Sequence, residues 1–568
     1  MKYSLLLLLL IHSFIFRAQG QAPARTANEY VRPYNEPFQY GINLGYYNSA
    51  WTDERLASIA QDLNGHSVRP TLPDRFVEQY GYSVRSSTFT DYVNRYGMRE
   101  ITCFVEGPSE AHRDKTVYPG GSAQSKLFAH LYEPIWNPDG SVNPNNYYAN
   151  YLYRLLQIYG DKVRFWEIVN EPDFTFAYDK DVWLTRAPRP SELTNMQAPI
   201  FHYVRMLRIS YEVIKKYHPE AYITTGGVGY PQFVDALLRY TDNPVNGTVT
   251  AAYPRAAGAY LDALSFHSYP AYSLHYWDNG VGGMRYRRTS DYAANRVMVE
   301  KDAMLAVLTK YGYDGTRYPA KQLLMTETNI GRRTSGTRTG SDEMQRNFGI
   351  KTLVLAQKQN IRQLYFFAIA EGVSAPAVGQ TVSGDDEIGL MGLYESLRRD
   401  APGAQRSTQL GKAFATTSKL LYGYFYDPAR TAALSLPAGV DGAAFRKDGS
   451  YLYVLWAKAL TDNVESASAT YSFPAAWNLA GVRRYEWNYA ATNAQTAQAA
   501  QSIALTTTPS FFSETAGSAP TPPAPPTPPA PPAPPTPPAA PTPPAPPTPP
   551  APPTPPAAPT PPAPPTPP

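Results

Sequence analysis

The chain has 568 residues, enough for two or three domains. Its formal charge of +4 is small for that length and argues for neither a nucleic-acid nor a membrane-surface partner. The single cysteine excludes an internal disulfide; Cys103 lies in the apolar run Ile101-Thr102-Cys103-Phe104-Val105 and reads as a small buried hydrophobe.

Residues 1–20 have the build of a secretory signal. Lys2 supplies the positive end, Ser4 to Phe16 the apolar run, and Ala18-Gln19-Gly20 a small-residue cleavage site. The run is too short to span a bilayer comfortably, and no cysteine follows it to carry a lipid. No other stretch is long and apolar enough to cross a membrane, so the expected location is secreted or cell-surface.

Over residues 21–420, short apolar runs alternate with longer amphipathic segments. The predicted strands are Gln39–Tyr46, Gly65–Arg69, Glu100–Glu106, Val163–Asn170, Ala221–Val228, Ala263–Tyr269, Gln322–Glu327 and Gln363–Ala368. Between them, Asn145–Tyr159 carries Tyr148, Tyr151, Leu152, Leu155 and Leu156 at helical spacing, and Pro199–Tyr217 and Val297–Tyr311 repeat the pattern. This alternation predicts an α/β fold, a (β/α)8 TIM barrel, whose functional groups sit at the C-terminal ends of the strands. Over 421–515 helical periodicity stops. Leu434–Leu436, Gly442–Arg446, Leu452–Ala457, Ala469–Phe473, Val482–Asn488 and Ser502–Leu505 read as short strands of a small antiparallel β-sandwich that braces the barrel. Residues 516–568 are Pro, Ala and Thr in near-periodic units that cannot form a core. They predict an extended polyproline stalk or linker, suited to attachment at a cell wall or surface.

The chemistry concentrates at two strand ends. Phe165-Trp166-Glu167-Ile168-Val169-Asn170-Glu171-Pro172 is a buried strand that stops in Asn-Glu-Pro, and proline cannot continue a central ladder. Gln322-Leu323-Leu324-Met325-Thr326-Glu327 ends in an acid in the same way. Two carboxylates on one face of a barrel are what glycoside hydrolysis needs, one to protonate the departing oxygen and one to attack the sugar carbon or activate water. Glu167, deeper on the face of Glu171, is the rival acid, and Glu371, after the eighth strand, the rival nucleophile. The 44 tyrosines suit carbohydrate contact as well as core packing. The eight histidines show no metal-binding spacing, and this chemistry needs no cofactor.

Trp166-Glu167-Ile168-Val169-Asn170-Glu171-Pro172 at a fourth strand, Phe266-His267-Ser268-Tyr269-Pro270 at a sixth and Thr326-Glu327 at a seventh resemble the clan A glycoside hydrolases. The pattern is most similar to family 39 and its unclassified relatives, with family 5 next. The resemblance implies a retaining double displacement on an extracellular poly- or oligosaccharide, with Glu171 as acid/base and Glu327 as nucleophile. By the same resemblance His267 and Tyr269 orient the nucleophile and line the first sugar subsite, Arg69 stands near the nucleophile, and Asn170 bonds the sugar 2-hydroxyl. The eighth strand, Tyr365-Phe366-Phe367-Ala368, departs from the clan by lacking its tryptophan; Phe367, Trp277 or a loop tyrosine is expected to replace it. Arg285, Arg287 and Arg288 in one active-face loop, and Arg332, Arg333 and Arg338 in another, raise the expectation of an acidic substrate. The competing class is a non-catalytic glycan-binding adhesin carried on the proline-rich stalk.

Overall fold

The computed structural model describes residues 25–335, 339–378, 380 and 387–515. The leader (1–20), the tail (516–568) and Arg338 lie outside the described residues. Eight parallel strands close into a barrel: β1 (Gln39–Ile42), β2 (Ser67–Val68), β3 (Glu100–Val105), β4 (Phe165–Ile168), β5 (Tyr222–Thr225), β6 (Ala263–Ser268), β7 (Gln322–Thr328) and β8 (Ile361–Phe366). Each falls within, or within two residues of, its predicted run. They pair in chain order around the ring, and β8 closes it against β1.

The helices form because their apolar residues recur on one face. Tyr147–Tyr159 buries Tyr148, Tyr151, Leu152, Leu155, Leu156 and Tyr159, and Asn146 caps its start by accepting from the Ala149 N–H. Fully burying one such leucine contributes about 1.5–3 kcal/mol. The predicted Val297–Tyr311 begins earlier, at Ser290, because Thr289 caps that end. Much of the tyrosine content is structural: Tyr40, Tyr92, Tyr148, Tyr151, Tyr159, Tyr203, Tyr222 and Tyr365 are among the largest fully buried side chains. Their hydroxyls find partners, as where Tyr148 pairs with Ser210 at 2.8 Å. Cys103 is buried on β3 as expected, and burial holds its thiol well above the ordinary range.

Beyond the barrel, Val440–Lys447, Ser450–Ala457, Ser510–Glu514, Val482–Tyr485 and Gln495–Gln498 form an antiparallel sheet, with Phe425–Tyr426 at one edge. A two-stranded sheet, Ser468–Tyr471 with Ile503–Thr506, accompanies it. Alternation divides the strand Ser450–Ala457 between two cores. Tyr453, Leu455 and Ala457 join Tyr471, Ile503 and Phe512, whereas Leu452, Val454 and Trp456 join the barrel's own core. Asp291, on a barrel helix, accepts from Trp456 Nε1 at 2.9 Å, from the Ala459 N–H at 2.7 Å and from Lys351 Nζ at 2.8 Å. Leu434–Leu436 is not a strand; it follows the short helix Pro428–Ala433, started by the Asp427 cap. Among the described residues no helix is long and apolar enough to cross a membrane.

Candidate active site

The barrel interior above its aromatic floor is polar. Ser265 and Thr326 both bond Glu167, and Thr326 does so at 2.8 Å. Glu167 is fully buried and is the deep anchor of Arg69, which binds it through Nε. The rest of that guanidinium faces the strand tips. Nη1 donates to Glu327 Oε1 at 2.7 Å and to Asn43 Oδ1 at 3.3 Å; Nη2 donates to Asn170 Oδ1 at 2.7 Å. One planar cation thus positions β1, β2, β4 and β7 relative to one another. Burial opposes its charge, but Glu167 and Glu327 outweigh burial and keep it firmly protonated.

Glu327 depends on an irregularity. In a regular strand Thr326 and Glu327 would face opposite sides. The pairing between β6 and β7 slips between Phe266 and His267, so that His267 stands opposite Glu327. Thr326 and Glu327 then both reach inward, one to Glu167 and one to the strand tips. Tyr269 donates to Glu327 Oε2 at 2.5 Å. Burial, then the Glu327 charge, holds the Tyr269 hydroxyl well above the phenol range, so it acts only as a donor.

Glu171 is placed by a tight turn. Val169 and Glu171 both have left-handed backbones, with φ of 59° and 45°. The Glu171 N–H donates to the Gly226 carbonyl at 2.6 Å, and the Asn170 N–H donates to Glu106 Oε2 at 3.1 Å. A Cβ on Gly226 would lie 1.3 Å from the Val169 carbonyl oxygen, so only glycine allows this approach. Tyr203 locks the contact from behind, donating to the Ile168 carbonyl at 2.8 Å and accepting from the Gly226 N–H at 3.3 Å. Asn195 donates to the Glu171 carbonyl at 3.1 Å.

His267 joins the two acids. Its Nδ1 lies 2.9 Å from Glu171 Oε1 and 3.6 Å from Glu327 Oε2, and one donor atom of each of the three residues lies within 4.8 Å of the others. Burial opposes a charge on His267, but Glu327 and Glu171 outweigh it and raise its proton affinity. Burial raises Glu171, yet the His267 hydrogen bond and charge prevail and hold its carboxyl below the ordinary range. The two shifts share one cause: the hydrogen bond between His267 Nδ1 and Glu171 Oε1 favours the charged form of each partner. Asp173, two residues on, accepts from the Gly229 and Tyr230 N–H groups at 2.8 Å each. Burial pushes its carboxyl up to about 7, and Glu171 adds to the shift.

The rivals have other partners. Glu167 is spent on Arg69, and Glu371 on Arg332, whose Nη2 lies 3.0 Å from it. Phe367 stands edge-on to Tyr269, with ring centroids 6.2 Å apart. Trp277 lies on the hairpin His275–Asp278/Gly283–Tyr286 and is 60% exposed; none of the contacts above involves it. The loop arginines among the described residues have partners within the protein. Arg333 pairs with Asp342 at 2.7 Å, Arg285 with Asp278 at 3.2 Å and Arg288 with Asp462 at 3.4 Å, while Arg287 donates to Tyr276. They give no support to an acidic substrate.

Two clusters have a composition that could hold a cation. In Glu171–His267–Glu327, both Glu327 oxygens already accept from Arg69 and Tyr269, and a metal would have to displace a buried guanidinium. In Asp74–Glu78–His112, Asp74 Oδ2 already accepts from the Ser109 N–H at 2.8 Å and meets His112 Nδ1 at 2.9 Å. Asn43, Tyr203, Asn195, Gly226 and Asp173 escaped the sequence reading. Only the Gly226-Gly227 pair directly after β5 carries a local sign, that of a close backbone approach.

No protein-family model matches the sequence, and no curated protein matches it. Solved structures do match in fold. A family 39 glycoside hydrolase from the gut symbiont Bacteroides cellulosilyticus WH2 is 14% identical, with a TM-score of 0.53, covering 84% of this chain and 81% of its own. A glucosidase from Croceicoccus marinus is 13% identical, with a TM-score of 0.48, covering 87% and 98%. A family 51 α-L-arabinofuranosidase from Thermotoga petrophila RKU-1 is 10% identical, with a TM-score of 0.44, covering 85% and 98%. At these identities the likeness is one of fold, and the fold is the barrel expected from the clan A resemblance.

Proposed function

We propose that this chain is a retaining O-glycoside hydrolase acting by double displacement, with Glu327 as nucleophile and Glu171 as acid/base. The observation that carries the reading is the spacing: one oxygen of Glu171 and one of Glu327 lie within 4.8 Å, with His267 between them. Carboxyls about 5–5.5 Å apart suit direct attack on the anomeric carbon, whereas inversion needs about 6.5–9.5 Å to admit a water.

Glu327 attacks the anomeric carbon as the glycosidic bond breaks, and the departing oxygen takes a proton from Glu171. That proton reaches Glu171 along the 2.9 Å hydrogen bond from His267 Nδ1. Sugar binding strips water from the Glu171 carboxyl and strengthens the burial effect that already opposes its charge, which favours the transfer. The glycosyl ester neutralises Glu327. Glu171, now a base, takes a proton from water, the hydroxide attacks the anomeric carbon, and Glu327 leaves as carboxylate. Asn170, held by Arg69, presents its amide toward the position of the sugar 2-hydroxyl.

A screen of reducing-sugar release against plant, algal and bacterial polysaccharides identifies the substrate. On it, Glu171→Gln and Glu327→Gln each lower turnover by about 10²–10⁴-fold while glycan binding survives. Proton NMR of the first product shows the anomer of the substrate, and a 2-fluoro glycoside adds its sugar mass to Glu327. The opposite anomer, or full activity in either variant, would overturn the proposal. The leader further supports export, with a mature chain beginning at Gln21, and the proline-rich tail supports a spacer or attachment role. N-terminal sequencing of secreted protein and cell fractionation test these.

A further inference from the structure

Beside Asn170 the active face opens into a cleft of about 460 Å³ that no step above uses. Val169, Asn170 and Asn195 are part of its lining, so it borders the turn that carries Glu171. Its lining also carries Arg75, Arg113 and Lys126. These cations differ from the loop arginines. Among the described residues no carboxylate lies within ion-pair distance of Arg75 or Lys126, and no side-chain hydrogen bond ties either down. Arg113 meets Glu110 at 3.1 Å, but Glu110 is 74% exposed, and Arg113 Nε is buried without a partner.

Arg75 is also given its place by the backbone. A Cβ on Gly107 would lie 2.0 Å from Arg75 Nη1, so the guanidinium occupies the space a side chain would fill. Glu106, the other acid of the lining, accepts from the Asn170 N–H; burial raises its carboxyl, and that hydrogen bond and the more distant Arg75 charge partly offset the rise. The cleft thus keeps two exposed cations, Arg75 and Lys126, with no carboxylate within ion-pair distance, in the same lining as Asn170, the neighbour of Glu171. A guanidinium and an ammonium in a concave wall suit an oxyanion, and a planar guanidinium suits one that can accept two bonds. The volume lies in the range of small-ligand sites.

We propose that this cleft is a subsite for an anionic sugar unit, one carrying a carboxylate or a sulfate ester, adjoining the unit that is cleaved. The inference rests on the hydrolase reading but is tested by binding alone. The Glu171→Gln protein is titrated calorimetrically with an oligogalacturonate, a sulfated carrageenan oligosaccharide and a neutral xylo-oligosaccharide of equal length. At low salt one anionic probe binds at least about tenfold tighter than the neutral one, and salt near 0.5 M erases the difference. Adding Arg75→Gln with Lys126→Gln removes the same tenfold preference and changes neutral binding by less than about twofold. Which anionic probe responds separates uronate from sulfate. Equal binding of all three probes, or equal losses for neutral and anionic probes in the charge-removed protein, overturns the proposal. Anion preference without hydrolysis of any glycan would defeat the catalytic reading alone, and hydrolysis without anion preference would defeat the subsite alone.

Discussion

Replacing Arg69 by methionine should destabilise this barrel from its centre. Arg69 has only 2% of its side chain exposed and holds the fully buried Glu167. Methionine fills much of the volume and supplies no charge. Glu167 would keep the Ser265 and Thr326 hydroxyls but lose its one ion-pair partner among the described residues, and removing one partner of a buried pair costs about 3–5 kcal/mol. Glu327 loses less, because its side chain is 12% exposed and Tyr269 still donates to it. The assay is guanidinium denaturation at pH 7, followed by far-UV dichroism and tryptophan fluorescence, with coincident transitions required before energies are compared. Arg69→Met alone should lower stability by about 3–5 kcal/mol, and Glu167→Gln in the same chain should restore more than half. A loss below about 1 kcal/mol, or a Glu167→Gln change that adds its own loss, would refute the assignment of Glu167 as the buried counter-charge.

Other outcomes follow from the same geometry. Tyr269→Phe removes one donor from Glu327 and should lower kcat by about 10²–10³-fold with little change in denaturation midpoint; a loss under fivefold would contradict the role. Gly226→Ala should cost about 1–3 kcal/mol or more and abolish activity, since the new Cβ collides with the Val169 carbonyl and displaces Glu171. Full activity and unchanged stability in the Gly226→Ala protein would contradict the turn's geometry. Asp173→Asn keeps the acceptor for Gly229 and Tyr230 but removes a carboxyl raised from 3.8 to about 7. The folded protein binds that proton more tightly than the unfolded chain, so the native Asp173 loses stability as pH rises through this window, by at most about 1.4 kcal/mol per unit. The stability difference between native protein and Asp173→Asn should therefore fall from pH 4 to pH 7; a flat difference sinks the assignment.

The strands were legible because they are local. β4, β6 and β7 each combine a short apolar run with a polar end, and each recurs after a helical segment, so the barrel and the face of Glu171 and Glu327 can be read without coordinates. The C-terminal sheets were less so. Leu434–Leu436 looks like a strand because two leucines flank a serine, but the Asp427 cap and Pro428 commit the preceding turn to helix. Ser510–Glu514, bonded on both sides within its sheet, escapes the sequence because its only apolar residues, Phe511 and Phe512, are adjacent and show no strand alternation.

Residue order and periodicity alone determined eight parallel strands, the two acids at their tips, and His267 and Tyr269 two apart at the end of β6, because side-chain direction alternates along a strand. The tertiary structure decided the rest. It decided that a slip between β6 and β7 turns both Thr326 and Glu327 inward, that Glu167 and not Glu171 holds Arg69 at depth, and that Arg285, Arg288, Arg332 and Arg333 meet carboxylates while Arg75 and Lys126 have none within ion-pair distance. Register and charge pairing depend on which distant segments meet, and a buried charge takes whichever opposite charge the fold brings within about 3 Å.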